Sequence, residues 1–328
     1  MPIDPDLSRY SDLAFGSSIA VYILALVFVL VDFAGSRNGV LQSRAAGSRT
    51  REKALVGAGS TPTGPGRVEA APTRPVSERF GRMGVALVAL GMLLNVASLV
   101  LRGMAASRAP WGNMYEFVSL MCAIAVAAWL VVIRKPGMRQ LTVFLLAPVI
   151  LLMFLAGTVL YARTAPVVPA LRSYWLVIHV SVITASTAVM MVSGVASLLF
   201  LLRRRHPAGS EGSSALGRLA LRMPTDAALD RVAYRTAIFG FPLFTAGVIL
   251  GAIWAEAAWG RFWGWDPKET TAFIAWVLYA AYLHARATAG WRNTRAAWIN
   301  IAGLAVMMFN LFFINMVVSG LHSYAGLN

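Results

Sequence analysis

Long apolar runs, nearly free of charge, recur along the chain and constrain its fold more than any other feature. A helix needs roughly 20 apolar residues to cross the hydrocarbon core of a membrane, and several runs reach that length. The chain is 58% hydrophobic and 13% charged, against about 25% charged residues in ordinary globular domains. We therefore predict an all-α polytopic membrane protein with about eight transmembrane helices. The predicted spans are Leu13–Ala34, Met83–Leu101, Tyr115–Ile133, Leu141–Tyr161, Tyr174–Leu202, Thr236–Ile253, Thr271–Ala285 and Trp298–Val318.

Composition between the spans divides the chain into three parts. Residues 1–34 are predicted to form an N-terminal tail and the first transmembrane helix. Residues 35–82 are rich in Gly, Pro, Ser, Thr and Arg and have almost no aromatic side chain. Such a segment buries too little apolar surface to fold alone, so we predict a flexible basic linker. Residues 83–328 are predicted to form a membrane domain of seven helices.

The basic residues fall on alternate connectors, and this asymmetry predicts the orientation of the chain. Connectors 35–82, 134–140, 203–235 and 286–297 together hold 22 of the 29 Lys and Arg residues. Cytoplasmic loops carry such an excess in membrane proteins. Both termini and the connector after the sixth span are then extracytoplasmic. The net charge of +15 is attributed to topology and anionic lipid, with no nucleic-acid partner.

Five of the ten tryptophans crowd into residues 254–276, around the polar run Asp266-Pro267-Lys268-Glu269-Thr270. Tryptophan is common at membrane interfaces, so an aromatic anchor is one interpretation. An anchor accounts for one or two indoles at an interface, and five around a charged turn favour a flat platform for a large planar ligand. The five are Trp254, Trp259, Trp263, Trp265 and Trp276.

Two histidines lie on the same predicted outer side as this loop. His179 is about one turn into the fifth span, and His322 follows the eighth. Neutral imidazole is a common iron ligand, so the pair is a candidate for both axial ligands of a haem iron. The alternative is two interface histidines that hydrogen-bond to backbone or lipid headgroups. Their shared position beside the tryptophans favours ligation.

The remaining histidines and the single cysteine have different predicted roles. His284 lies near the cytoplasmic end of the seventh span, where it is either a functional ionisable group or a side chain that reaches the interface. His206 follows three arginines and is predicted to be solvated surface. Cys122 has no second thiol with which to form a disulfide or a thiolate metal site, and is predicted to pack in an apolar segment.

Charged residues near the tryptophans also have two interpretations. Lys268 and Arg261 either meet carboxylates of a ligand through charge-assisted bonds or pair with Asp266 and Glu269. The two acids are favoured as structural groups that cap the seventh span and hold the loop. Glu116, at the start of another span, is favoured as a helix-dipole partner over a site wall. The chain contains no GxSxG, HExxH or P-loop sequence that would favour another catalytic class.

The run WGRFWGWDPKET, followed by AWVLYAAYLH, resembles the signature of the WWD-domain haem-handling proteins of cytochrome c biogenesis, in particular the CcsA/ResC type of System II. The resemblance extends from about Trp111 to the C-terminus. It implies that His179 and His322 ligate haem iron and that His284 belongs to a second haem site in the membrane. It also implies that the loop cradles the haem face, through residues Trp254, Trp259, Trp263, Trp265 and Asp266.

The function implied by this resemblance is that of a cytochrome c synthase of the haem lyase type. Haem b, as bound substrate, would be presented on the extracytoplasmic side of the bacterial plasma membrane for thioether attachment to the CxxCH motif of apocytochrome c. The implied partners are a CcsB/ResB-type membrane protein, apocytochrome c, a thioredoxin-like thiol reductant and the lipid bilayer. Two alternatives remain open, namely an exporter of haem or another planar ligand without covalent chemistry, and a structural membrane subunit.

Overall fold

The computed structural model describes residues 3–55, 76–134, 138–166, 171–210, 212 and 214–322, with backbone alone for 36–55 and 76. All regular structure among these residues is helical, which confirms the all-α class for this part of the chain. A 3-10 helix (Arg139–Leu141) precedes α4, and a π-helical turn (Asn310–Ile314) continues α9. The helices are α1 (Pro5–Leu55), α2 (Val76–Ala106), α3 (Met114–Val132), α4 (Thr142–Thr158), α5 (Tyr174–Arg205), α6 (Ala215–Ala220), α7 (Asp226–Trp259), α8 (Pro267–Ala287) and α9 (Thr294–Phe309).

Seven helical segments in the described part of the chain are long and apolar enough to cross a membrane. The predicted count of eight is therefore not confirmed, because α8, at the predicted span Thr271–Ala285, is not among the seven. Its 21 residues are long enough, but threonine, tyrosine and histidine side chains and the terminal Lys268 and Arg286 lower its mean hydropathy. The seven segments are Pro5–Gly35, Ser77–Ala106, Met114–Val132, Arg139–Thr158, Tyr174–Arg205, Asp226–Trp259 and Thr294–Ile314.

Helices extend into both ends of the predicted linker at 35–82. The backbone of α1 continues to Leu55, through a stretch whose Ala, Leu, Gln and Arg residues favour a helix. Helix α2 begins at Val76. Residues 56–75 lie outside the described residues, so the three-part division of the chain stays a prediction.

The described helices pack around two apolar cores, and α5 contributes to both. One core contains residues of the five helices from α1 through α5 and of α7, and it includes Met191 and Val192 of α5. The other joins α5 to α7, α8 and α9, and includes Met190. Helix α5 therefore lies in the middle of the bundle with its side chains held on two sides, and its most extensive contacts are with α7.

A buried ionic network fixes the turn before α3. Glu116 is fully buried and accepts hydrogen bonds from Arg102 Nε at 2.8 Å, Arg108 Nη1 at 2.8 Å and the backbone N–H of Gly112 at 2.7 Å. The side chain of Asn113 caps the helix by accepting from the backbone N–H of Glu116. Glu116 thus has a structural role, and it holds the chain at 111–113 in place above α3.

Candidate functional site

A cleft opens between α5, α7, α8 and the end of α9, and the turn before α3 forms part of its wall. It encloses about 1330 Å³, part of which is open to solvent. Its lining is mainly apolar and aromatic, as is usual for sites that bind organic ligands. The polar side chains in the lining are those of His179, His322, Lys268, Glu269, Asn310, Asn315, Asn113 and Thr187.

The polar run after the tryptophans forms a capping box at the start of α8. Asp266 is the N-cap and accepts from the backbone N–H of Lys268 at 3.0 Å. Glu269, three residues into the helix, accepts from the backbone N–H groups of Gly264 at 2.9 Å and Asp266 at 3.1 Å. This reciprocal capping is the mechanism that Asp-Pro-x-Glu sequences favour at helix starts. It folds the loop back onto α8 and confirms the structural role predicted for both acids.

Asp266 also holds His322 against the cleft wall. Its Oδ1 lies 2.9 Å from Nδ1 of His322, and its Oδ2 accepts from the backbone N–H of Leu321 at 2.8 Å. Gly320 allows this approach, because a Cβ there would lie 2.6 Å from Oδ2 of Asp266. A carboxylate only accepts, so Nδ1 of His322 carries the hydrogen and Nε2 keeps its lone pair.

The protonation states of this pair follow from burial and hydrogen bonding. Burial acts to raise the pKa of Asp266, but the hydrogen bonds from His322, Leu321 and Lys268 outweigh it and lower the pKa to about 2. Burial lowers the pKa of His322, against the opposing effect of its bond to Asp266. At neutral pH the pair is therefore a carboxylate and a neutral imidazole. A neutral imidazole whose other nitrogen donates to a carboxylate is an oriented metal ligand.

His179 is oriented in a similar way by α7. Its Nδ1 lies 2.8 Å from the backbone carbonyl oxygen of Gly247. Because a carbonyl oxygen only accepts, Nδ1 again carries the hydrogen and Nε2 keeps its lone pair. The close packing needs glycine at position 251, where a Cβ would lie 2.7 Å from Cε1 of His179. No hydrogen bond to Nε2 of either histidine occurs in the part of the chain that the structure describes.

The predicted tryptophan platform is not flat in this structure. Trp254, which is 2% exposed, stacks on the ring of His179 at 6.1 Å and 6° and meets Trp259 edge to face at 4.7 Å. Trp259 in turn lies 4.9 Å from the His322 ring at 76°. Trp254 and Trp263 line the cleft, whereas Trp265 is 67% exposed and packs edge-on against Trp263. Trp254 and Trp259 thus form a tilted aromatic wall beside the two histidines.

Other candidate residues lie away from this cleft. His284 is exposed near the far end of α8 and does not line the cleft. Trp276 donates from Nε1 to the hydroxyl of Thr245 at 2.9 Å, one turn behind the lining. Arg261 lies against Gly264, where a Cβ would overlap its guanidinium. Cys122 is buried, as predicted.

The π-helical turn after α9 supplies groups that periodicity had not indicated. Asn310 and Asn315 both line the cleft, although they are five residues apart. A spacing of five places two residues on one face only where the helix widens to a π-turn. The signal in the sequence is therefore limited to two asparagines near the end of an apolar span.

Comparison with known proteins shows that the cleft lies inside a segment that matches a protein family. The family model for cytochrome c assembly protein matches residues 111–322, a segment that contains every lining residue of the cleft. The cytochrome c biogenesis protein CcsA of Parasynechococcus marenigrum is 38% identical over 266 residues, covering 73% of this chain and 85% of that protein. CcsA of Prochlorococcus marinus is 37% identical over 262 residues, covering 73% and 82%.

A solved structure also shares the fold. The cytochrome c haem lyase CcmF superposes with a TM-score of 0.61 and 17% sequence identity, over 100% of this chain and 49% of that chain. The chain thus spans about half the length of this structural relative. At that identity the likeness concerns the arrangement of helices alone.

Proposed function

Because the chain belongs to the cytochrome c assembly protein family, we propose that it is the haem-handling subunit of a CcsA-type cytochrome c synthase. In this proposal haem b is the bound substrate, presented for thioether attachment to the CxxCH segment of apocytochrome c. A CcsB/ResB-type membrane protein acts with it, and a thioredoxin-like reductant keeps the client thiols reduced.

The placement of two imidazoles in the lining of one cleft carries this proposal. His179 and His322 come from distant parts of the sequence, and each has its Nδ1 engaged by an acceptor and its Nε2 free of hydrogen bonds among the described residues. A porphyrin supplies four nitrogens to its iron, so two imidazoles complete the coordination. Among the described residues no group of three or more His, Cys, Asp and Glu side chains gathers as for a bare metal ion. A cofactor-like ligand that brings its own donors suits the pair better.

The rest of the lining suits a planar ligand with an apolar body. Trp263 contributes indole surface and Val248 contributes apolar surface, whereas Trp254 and Phe244 are almost buried within the lining. Trp259 and Asp266 contact His322 rather than the open space. We assign them to orienting this histidine.

The protein's contribution to the reaction is positioning. Each client thiol adds across a haem vinyl group, so that one S–C bond forms, the thiol hydrogen moves to the neighbouring carbon, and no electron is transferred. Holding the iron on two oriented imidazoles would limit the orientations of the vinyl edge, and such positioning is worth several orders of magnitude in rate. The client's own histidine then replaces one of the two imidazoles, which releases the product.

The membrane arrangement in this proposal retains eight spans. Helix α8 packs beside α9 and α7, and its 21 residues extend about 30 Å, the thickness of a bilayer core. Both termini and the cleft are then extracytoplasmic in the bacterial plasma membrane. Since the native Cys122 is buried, a cysteine introduced at exposed Trp265 and labelled by an impermeant maleimide from outside the cell tests this orientation.

His284 remains our candidate for a second haem site inside the membrane. It is exposed on α8, which is compatible with a ligand pair completed by a histidine of the partner protein. Haem would pass from this position to the outer cleft. Loss of haem loading at the outer cleft in His284→Ala, with the outer histidines intact, is the expected result.

The test of the proposed function is the visible absorption spectrum of the full chain purified with its partner from haem-replete cells. We expect a low-spin bis-imidazole spectrum that is lost or weakened in His179→Ala and in His322→Ala. His206→Ala is the matched control, because His206 lies at the opposite end of α5 and should leave the spectrum unchanged. Normal covalent cytochrome c in the His179 and His322 variants would contradict the ligand assignment.

The exporter alternative predicts a different pattern. An exporter moves haem without client thiols, so the bound haem would leave at the same rate with or without apocytochrome. A synthase releases its haem in covalent form only when an apocytochrome with both cysteines is added. A colourless wild-type preparation would favour the structural subunit.

A further inference from the structure

Lys268 is the cationic side chain in the cleft, and the π-turn after α9 holds it there. Its backbone carbonyl accepts from Nδ2 of Asn310 at 3.0 Å, and its Nζ donates to Oδ1 of Asn315 at 2.5 Å. Asn315 is itself fixed by donating to the backbone carbonyls of Asn310 and Leu311. Lys268 is therefore held in place by hydrogen bonds at both its backbone carbonyl and its ammonium group.

In this position the Lys268 ammonium has no directly bonded carboxylate in the described part of the chain. An ammonium group offers three N–H donors, and the structure gives Nζ one neutral acceptor and no carboxylate within salt-bridge distance. The neighbouring acids are engaged elsewhere. Asp266 bonds to His322 and to two backbone N–H groups, and Glu269 accepts from the backbone of the loop.

Two arginines that are more deeply buried than Lys268 each have an acidic partner. Arg102, which is 1% exposed, lies 2.8 Å from Glu116, and Arg286 lies 2.5 Å from Asp230. Charges removed from water are normally paired in this way, because an uncompensated one costs several kcal/mol. Lys268, which is half-buried in the cleft lining, has no such acid in contact with it in the described part of the chain.

We propose that the Lys268 ammonium binds a carboxylate of the ligand, which for haem is a propionate. This inference rests on the proposed function and adds to it the point where the acidic edge of the porphyrin is recognised. The apolar wall of the cleft suits the ring, and Lys268 supplies the charge that such a wall lacks. The N-terminus of α8, where Lys268 lies, adds a favourable helix dipole for an anion.

The competing explanation is mechanical, because Lys268 also clamps α8 to the π-turn. Removal of a clamp would loosen the whole cleft and weaken binding of any haem, whatever its acidic groups. Removal of a counter-ion would weaken binding only of a haem that carries carboxylates. The two explanations therefore differ in how affinity depends on the ligand.

The experiment compares haem with haem dimethyl ester, in which both carboxylates are neutral. The full chain is placed in lipid nanodiscs and titrated with each ligand, and the bis-imidazole absorption band reports binding. The measured quantity is the ratio of the two dissociation constants, compared between variants so that partition into lipid cancels. Wild type should prefer haem over its ester by about 10- to 100-fold, as expected for a charge-assisted hydrogen bond in a site poor in water.

The variants separate charge from shape. Lys268→Gln keeps a donor for Asn315 but removes the charge, and should lower the preference for haem about tenfold or more. Lys268→Arg keeps the charge and should retain most of the preference. Arg261→Gln is the matched control, since it removes a cation of the same loop that does not line the cleft, and should leave the preference unchanged.

The other possible results of these titrations also distinguish a counter-ion role of Lys268 from a mechanical one. Equal loss of affinity for both ligands in Lys268→Gln, with the wild-type preference retained, would overturn the counter-ion role and leave the clamp. A wild-type chain that shows no preference would do the same. If wild type binds neither ligand with a spectrum that depends on His179, the proposed function fails and this inference fails with it. If Lys268→Gln does not fold, the Lys268→Arg variant and the wild-type preference still decide.

Discussion

Asp266→Asn is the perturbation that tests most directly how the site is built. The substitution preserves the size of the side chain, and asparagine is as good an N-cap as aspartate, so α8 should still begin at the same residue. The change falls on the partner of His322. The imidazole would face a neutral amide in place of a carboxylate, and the amide N–H₂ would face the backbone N–H of Leu321, where two donors meet.

The magnitude follows from the bonds that change. A hydrogen bond to a charged group contributes about 1.5–3 kcal/mol and one to a neutral group about 0.5–1.5 kcal/mol, so orientation of His322 weakens by about 1–1.5 kcal/mol. At 1.4 kcal/mol for each factor of ten, this is roughly tenfold in haem affinity. Loss of the Leu321 bond adds to it, within the 10- to 100-fold range found when a partner of a metal-ligating histidine is removed.

The assay is a haem titration of the purified full chain, followed by its visible spectrum. We expect Asp266→Asn to bind haem about 10- to 100-fold more weakly and to lose part of its low-spin band. Glu269→Gln is the control, because Glu269 supports the same loop through Gly264 and Asp266 but does not touch His322. An equal loss in both variants would show that loop shape, and not imidazole orientation, sets the affinity. A loss of less than twofold in Asp266→Asn would refute the reasoning.

Three further perturbations address other parts of the site. Gly251→Val places a side chain where even a Cβ lies 2.7 Å from His179. Haem affinity should therefore fall while the chain still accumulates in membranes. An unchanged haem spectrum would count against the close packing of this ring against α7. Trp254→Leu should weaken haem binding more than Trp265→Leu, because Trp254 is 2% and Trp265 67% exposed; parallel titrations measure this, and the reverse order would contradict it. Glu116→Leu leaves Arg108 without its acid and Arg102 with only the more distant Asp12. It should lower the free energy of unfolding by about 3–5 kcal/mol, seen as an earlier thermal transition, whereas an unchanged transition would mean that the network contributes little.

The sequence allowed the fold class and the two histidines of the candidate cleft to be predicted, from the apolar runs and from the position of each histidine relative to them. Apolar runs of sufficient length indicate membrane helices wherever they pack, and seven of the eight predicted spans are confirmed by length and composition. His179 and His322 were placed at similar depth from their positions relative to the spans, and the structure brings both to one cleft. Helix α8 was the exception, because its polar and aromatic residues make it less apolar than its neighbours.

Details that depend on tertiary contacts could not be predicted. The sequence contains no signal that the carboxylate of Asp266 would meet His322, since 56 residues separate them. The outward position of Trp265 follows from a left-handed backbone, φ 57°, which is uncommon for a residue with a side chain. Asn315 reaches Lys268 only because the end of α9 widens into a π-turn, and helical periodicity assigns it to another face.

The two histidines are attached to the protein with different stiffness. The side chain of His179, a residue of α5, is packed against α7 at a place where two glycines let the helices touch. Its ring cannot turn without separating the two helices. His322 follows the last helical turn that the structure describes, and its ring is held by the carboxylate of Asp266 and by edge-on packing against Trp254 and Trp259. The imidazole of His179 is thus rigidly held, and that of His322 is the more easily displaced. If a client histidine is to take over one coordination position, His322 is the ligand that it would replace. Haem would then stay bound to His179 until release, and the client histidine would bind on the face that His322 had occupied.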